Sequence, residues 1–354
     1  MIPSLHIRDR SVGRGHPTFF LVEEGNASGG DQRLAFEMIR IAAAAGADCI
    51  EFQVAVADDF YVRNHPMHQI YRARELSATH LRELVACATE RNIAISASPL
   101  SDALVEELAK AGFHAFTINS SDLTNPRILD AVASSHIPYS LGTAMASVAE
   151  IDWAVARLVR RAPQPFCLLH GQHVMTTSAG GVVPERDVSL ATIGFLETRY
   201  GLPVGFLDHT SSKHVPALAV SHGAVLVTKH LAPRPGWQGP DWRVCLTPDD
   251  LAECIRHVRL ADAVKGSPTK SLLPGEIADR MQMRRSIVAA RDLPSGAVLT
   301  EKSVSLKRPG GGLDPIQLEA ILGRRLAKPV EKDQPITKDL LADDPAGEQR
   351  WISV

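Results

Sequence analysis

Two histidines define the chemistry this chain can support. His209 follows the short apolar run Val204–Leu207 within Gly205–Thr210, and Lys229-His230 follows the run Ala224–Thr228. Two consecutive parallel strands would deliver both side chains to one rim. Neutral imidazoles on rigid strand ends make a two-point seat for a divalent metal. A histidine held there only by packing is the alternative for either residue alone, and the matched placement of the two argues against it for the pair.

Such a seat needs strands, and the sequence supplies eight candidates. They are Thr18–Val22, Cys49–Val54, Ile93–Ala97, Ala115–Ile118, Pro138–Leu141, Phe166–His170, Val204–Leu207 and Ala224–Thr228. Between them lie segments of helical period, with apolar stripes at Leu34, Met38, Ile41 and Ala45, at Leu81, Leu84 and Val85, and at Leu104, Val105 and Leu108. Ile151, Val155, Leu158 and Val159, then Leu251, Cys254, Ile255 and Val258, continue the series. Strands alternating with helices imply parallel pairing, and eight units predict a closed (β/α)8 TIM barrel. A doubly wound open sheet is the competing arrangement, but no Gly-rich dinucleotide turn follows the first strand. Past Ala263 the texture changes. Residues 265–280 read as a linker, with Gly266, Pro268, Pro274 and Gly275 among polar residues, after a barrel domain of residues 1–264. Short strands and turns over residues 281–345 predict a small, β-rich second domain.

Composition narrows the partners. The 354 residues are 45% hydrophobic and 22% charged, with a formal net charge of −2, so no basic field for nucleic acid or membrane is present. Small molecules and other protein chains remain. Five cysteines without CxxC pairing predict buried free thiols in a reducing compartment. With neither a signal peptide nor an apolar span of about 18 residues, a cytoplasmic location is expected.

Several motifs carry a family likeness: residues 201–210 (GLPVGFLDHT), Gly239-Pro240-Asp241, Phe52-Gln53, residues 120–125 (SSDLTN), residues 285–289 (RSIVA) and residues 304–312 (VSLKRPGGG). Through them the chain, over roughly Thr18 to Leu341, resembles the sialic acid (N-acetylneuraminate and nonulosonate) synthase family, including the spore coat polysaccharide type. The resemblance implies a C-terminal antifreeze-like (SAF, β-clip) domain. It also implies condensation of phosphoenolpyruvate with an N-acyl amino sugar in surface polysaccharide or glycan biosynthesis. Mn²⁺ is the implied metal, with Mg²⁺, Co²⁺ or Zn²⁺ as substitutes, and His209 and His230 are its implied ligands. Glu23 is implied as the catalytic residue, orienting water or exchanging protons. Gln53, Ser98, Ser120, Asp122, His173 and Asp241 are implied substrate contacts. Arg308 is implied to reach the sugar's N-acyl group across a domain-swapped homodimer.

The departures cluster on the donor side. The family's Lys-Phe-Gln after the second strand is here Glu51-Phe52-Gln53, and its Phe-Lys-Ile on the fourth is Phe116-Thr117-Ile118. The serine usually preceding Asp-His is Leu207, and Ser-Thr-Gly-Met is Gly142-Thr143-Ala144-Met145. Asn-His of the first loop is Ala27-Ser28, and Asn-x-Tyr after the sixth strand is His173-Val174-Met175, before an insertion at Thr176–Val182. Inverting a cation's sign in a closed site costs about 4 kcal/mol per charge pair at an effective dielectric near 20. Lys229, Arg234, His170 and His173 leave some cationic potential near the rim to meet a phosphate, although Lys229 is present in ordinary members of the family it resembles and does not count as a replacement. The expectation is a divergent synthase with a rebuilt donor end. A donor lacking phosphate, or a catalytically silent scaffold homologue, are the alternatives.

Overall fold

The structure is a computed structural model that describes residues 2–174, 181–267 and 269–343. It divides into two units, 1–266 and 267–354. In the first, eight parallel strands close into a barrel: β1 (Phe19–Glu23), β2 (Cys49–Val54), β3 (Ala94–Pro99), β4 (Ala115–Ile118), β5 (Tyr139–Gly142), β6 (Cys167–Gly171), β7 (Val204–Asp208) and β8 (Leu226–His230). β8 pairs with β1 to complete the ring, placing His230 opposite Glu23. All eight strands stand within one or two residues of their sequence-based positions.

Among the described residues, eight helices alternate with the strands around the barrel, α1 (Gln32–Ala45), α2 (Ala78–Glu90), α3 (Asp102–Ala111), α4 (Pro126–Ser134), α5 (Val148–Arg161), α6 (Thr192–Tyr200), α7 (Val215–Ser221) and α8 (Pro248–Lys265), and two short ones, Ala57–Phe60 and Pro66–Arg72, lie in the loop after β2. Local chemistry sets their ends. Asp31 caps α1 by accepting from the Arg33 and Leu34 N–H groups, and Gly46 closes it in the left-handed conformation. Ser147 and Glu150 form a capping box on α5. The buried stripe of α1 is Ala35, Met38, Ile39 and Ala42, turned by about one residue from the expected Leu34, Met38, Ile41 and Ala45. Val159, expected inside, faces solvent on α5.

An N-terminal hairpin, Leu5–Ile7 paired with Arg10–Val12, precedes β1 and was not foreseen. Its Leu5, Ile7 and Val12 are buried against Phe19, Cys49, Ala94, Ala115, Cys167 and Leu226, which begin or nearly begin six of the strands. The hairpin therefore stoppers the N-terminal end of the barrel. Cys49, Cys87, Cys167 and Cys254 are buried free thiols, and Cys245 is half-buried and free.

In the second unit, helix α9 (Pro274–Met283) occupies much of the expected linker. Pro274 opens it, and the Leu273 N–H donates to Glu276 Oε2 at 2.7 Å. Strands β9 (Ser286–Ala289) and β10 (Val304–Lys307) pair antiparallel. Turns and isolated bridges enclose a core of Ile287, Leu293, Leu299, Ile321, Leu326, Val330 and Ile336. Arg308 follows β10 and is exposed on this unit.

Candidate active site

His230 ends β8 and His209 follows the last residue of β7, so both reach the C-terminal rim, where their ring centroids are 5.5 Å apart. The Nδ1–H of His209 donates to the Gln172 carbonyl at 2.8 Å, which turns the Nε2 lone pair toward the cavity. Burial pushes His209 down to about 3, assisted by His230, and pushes His230 down to about 4. Both rings are neutral at physiological pH, the state a metal ligand requires. Gly25 makes room for the second ring. A Cβ there would lie 2.6 Å from His230 Cδ2, and its φ of +59° favours glycine independently.

Two carboxyl groups flank the pair. Glu23 Oε2 is 3.7 Å and Asp241 Oδ2 is 3.9 Å from His230 Nε2. Glu23 Oε1 is buried without a hydrogen-bond partner among the described residues, and burial raises the pKa of this carboxyl. The adjacent Glu24 does a different job. It accepts the Asn26 N–H at 2.9 Å and the Ser28 N–H, fixing the loop after β1. Two neutral imidazoles beside carboxylates are a donor set that fits a borderline divalent ion. Among the described residues no three His, Cys, Asp or Glu side chains converge into a ready-made cage, so the seat is open.

Alternation along the strands brings most of the expected residues to one cavity. Glu23, Glu51, Gln53, Thr117, Ser120, Gly142, His173, Leu207, His209, His230 and Asp241 all line it. Gln53 Oε1 accepts from Asn26 Nδ2 at 2.7 Å, and the His173 ring lies edge-on to His209 at 5.2 Å. Ser120 Oγ accepts the Ala144 N–H at 3.2 Å and fills the space a side chain at Gly142 would need. Asp241 takes a left-handed φ of 55° in a turn where Gly239 leaves room for the Trp237 ring.

Three residues stand apart. Ser98 lies beside Gln53 in the sheet, buried and without a hydrogen-bond partner among the described residues, but outside the cavity lining. Asp122 holds Asn125 Nδ2 at 2.9 Å within its own turn and is also outside the lining. Arg308 belongs to the second unit. Met175 and residues 176–180 of the insertion lie outside the described residues.

The donor end is not as the sequence suggested. Lys229 is fully buried and faces away from the cavity, donating to Asp208 Oδ2 at 3.0 Å and to the Thr210 carbonyl at 2.5 Å. His170 is bonded to the Val188 and Ser189 carbonyls at 3.2 and 3.1 Å, and burial lowers its pKa. Arg234 is exposed outside the lining, so among the four cations expected at the rim only His173 reaches the cavity. Glu51 is 4% exposed and accepts hydrogen bonds from Ser96 and Thr117. Burial, with Glu23 adding repulsion, pushes it up to about 8. Both effects favour the protonated form of this carboxyl over the charged one.

Thr228, Asn119 and Leu169 also line the cavity and were not singled out from sequence, while Ser121 and Met145 line it from motifs that were quoted without a role for them. Thr228 was within reach, since it precedes His230 by two and shares its face.

Comparisons with known proteins agree with this architecture. Residues 38–270 match the NeuB family and residues 284–342 match the SAF domain. The chain is 33% identical over 340 residues to an uncharacterized protein of Methanocaldococcus jannaschii, covering 96% of this chain and 99% of that one. It is 31% identical to the N-acetylneuraminate-9-phosphate synthase of Homo sapiens, covering 94% and 95%. The crystal structure of the N-acetylneuraminic acid synthetase of Leptospira borgpetersenii superposes with a TM-score of 0.73 at 28% identity, covering 79% of this chain and 95% of that one.

Proposed function

The chain belongs to the NeuB family of carbon–carbon bond-forming sugar-acid synthases, and from that premise we propose a metal-assisted aldol-type condensation of a three-carbon enol donor with the aldehyde of an N-acyl amino sugar, giving a nonulosonic acid. The observation that carries this reading is the convergence of two neutral imidazoles, His209 and His230, with Glu23 on one cavity at the strand ends. His209 and His230 would hold a divalent ion, Mn²⁺ first among candidates, which supplies Lewis-acid polarisation of the aldehyde oxygen when bound.

The chain's own groups do the rest. Glu23, buried at the cavity wall 3.7 Å from His230 Nε2, holds or moves the proton exchanged at the reacting carbon or water. Asp241, more open at the rim, and Gln53 orient sugar hydroxyls. The stoppered barrel and buried walls exclude water from below. Arg308, from the second unit of a partner copy in a homodimer, meets the N-acyl carbonyl with its planar fork.

Phosphoenolpyruvate is the donor the resemblance implies. A second reading, a donor without phosphate, is favoured by one observation: among the described residues lining the cavity there is no lysine or arginine. The test of the first reading is phosphate release with Mn²⁺, phosphoenolpyruvate and N-acetylmannosamine or related sugars. Release well above a His209→Ala control is expected. Its absence across a broad sugar panel, with no condensation product from any donor, would sink the proposed reaction.

A further inference from the structure

A second hollow opens beside the candidate active site, between the loop after β5 and the start of α6, with a volume of about 360 Å³. Met145 and His173 line both this groove and the cavity of His209 and His230, so the two are continuous. Val148 and Ile151 of α5 form one wall, and Phe195 and Leu196 of α6 form the other. Val148 is 41% exposed and Phe195 47%. Met145, at the join, is 62% exposed and takes a left-handed φ of 63°, uncommon for a long side chain. Adjoining apolar side chains left open in this way mark a place where something binds. No Asp, Glu, Lys or Arg is among the described residues lining the groove. His170 is among them, and it donates its Nε2–H to the Val188 and Ser189 carbonyls. A charged guest finds no counter-ion here, whereas a hydrocarbon guest frees water from both walls.

We infer that this groove is a subsite for the hydrocarbon end of the acceptor's N-acyl group, and that the sugar this chain takes carries an acyl chain longer than acetyl. The inference rests on the condensation proposed above. In a 2-acylamino sugar the acyl nitrogen sits on the carbon next to the aldehyde, and the hydroxyl-bearing carbons run the other way. An aldehyde at the His209–His230 seat has two neighbourhoods. Asp241, 3.9 Å from His230, and Gln53 stand on the side of β8 and β2 and suit hydroxyls. His173, edge-on to His209 at 5.2 Å, follows β6 and leads into the groove. The substituent nearest the aldehyde is therefore the one the groove receives. A water takes about 30 Å³ and a methyl group little more, so an acetyl group leaves most of the groove wet. A longer chain covers the walls at Val148 and Phe195.

The test measures binding of N-acetyl-, N-butanoyl- and N-hexanoylmannosamine to the full-length protein with Mn²⁺ by ligand-observed NMR. Condensation of each sugar with phosphoenolpyruvate, and with pyruvate, is followed by product mass. Each added methylene is expected to tighten binding about twofold or more, so the hexanoyl sugar binds about tenfold better than the acetyl sugar. Phe195→Asp and Val148→Asp, on opposite walls, are each expected to cut that hexanoyl-to-acetyl ratio about fivefold. Both sites are open, and Val148 begins α5, where an acidic residue suits the helix end, so folding is spared.

Affinity that is flat or falls with chain length, or a ratio unmoved in both variants, overturns the inference. So does weaker self-association of Phe195→Asp in light scattering with the ratio unmoved, because a second copy then covers the groove. Binding that tightens with chain length, without product from any sugar, supports the subsite and overturns the condensation. Product from the acetyl sugar with flat affinities does the reverse.

Discussion

Lys229 and Asp208 form an ion pair 3.0 Å long with neither side chain exposed, on adjacent strands whose neighbouring residues carry the two histidines. Their charges answer each other inside the wall of the barrel. Lys229→Met leaves Asp208 buried without its counter-charge, so a loss of about 3–5 kcal/mol in urea-unfolding free energy is expected. Pairing it with Asp208→Leu removes the orphaned charge and is expected to recover much of that loss. If the single variant is as stable as the wild type, the pair is not holding the wall.

Glu51 sets a pH dependence with a definite sign. Its folded value of about 8 stands above the ordinary 4.5, so between those limits the folded chain keeps a proton that the unfolded chain has released. This contribution is most favourable below pH 4.5 and is lost as pH rises toward 8. His209 and His230, lowered to about 3 and 4 from 6.5, act oppositely, and their contribution fades as pH falls through that range. Glu51→Gln isolates the first effect. Its stability relative to wild type is expected to grow from pH 5 to pH 8, by at most about 1.4 kcal/mol per pH unit, in denaturation curves recorded with EDTA. A flat difference would show that Glu51 is ionised throughout.

Gly25 offers a probe of the histidine seat that leaves every polar group in place. In Gly25→Ala the new methyl meets His230 Cδ2 at 2.6 Å, and the backbone there is left-handed. A stability loss of about 1–3 kcal/mol is expected from strain. Under the proposed metal seat, Mn²⁺ affinity measured by calorimetric titration falls at least tenfold as the ring is displaced. Unchanged affinity would place the metal away from His230.

The N-terminal hairpin is held by apolar burial. Ile7→Ala empties a site that is 4% exposed and contacts the barrel's lower layer, with an expected cost of about 2–5 kcal/mol in thermal or urea unfolding. A cost below half a kilocalorie would mean the hairpin is a loose appendage.

Much of this architecture was readable because barrels repeat. A β-rich run, a helical stripe and a turn recur along the chain, and the alternation that sends His209 and His230 inward is a two-residue rule. What escaped was whatever depends on contacts distant in sequence. Leu5, Ile7 and Val12 form strands of three residues, too short to carry a period, and their meaning comes from six strand starts hundreds of residues apart. Lys229 read from sequence only as a cation beside a histidine. Its side chain alternates to the opposite face, and its partner Asp208 lies on another strand. The sign change at Glu51 was plain in the sequence. That the carboxyl would be walled in by Ser96 and Thr117 required the register of three neighbouring strands. The helix at Pro274–Met283 was obscured by the same proline and glycine that suggested a linker.

The stopper beneath the barrel also has a mechanical meaning. Leu5, Ile7 and Val12 pack against residues that open six of the eight strands, so one short hairpin ties together most of the wall at the end opposite His209 and His230.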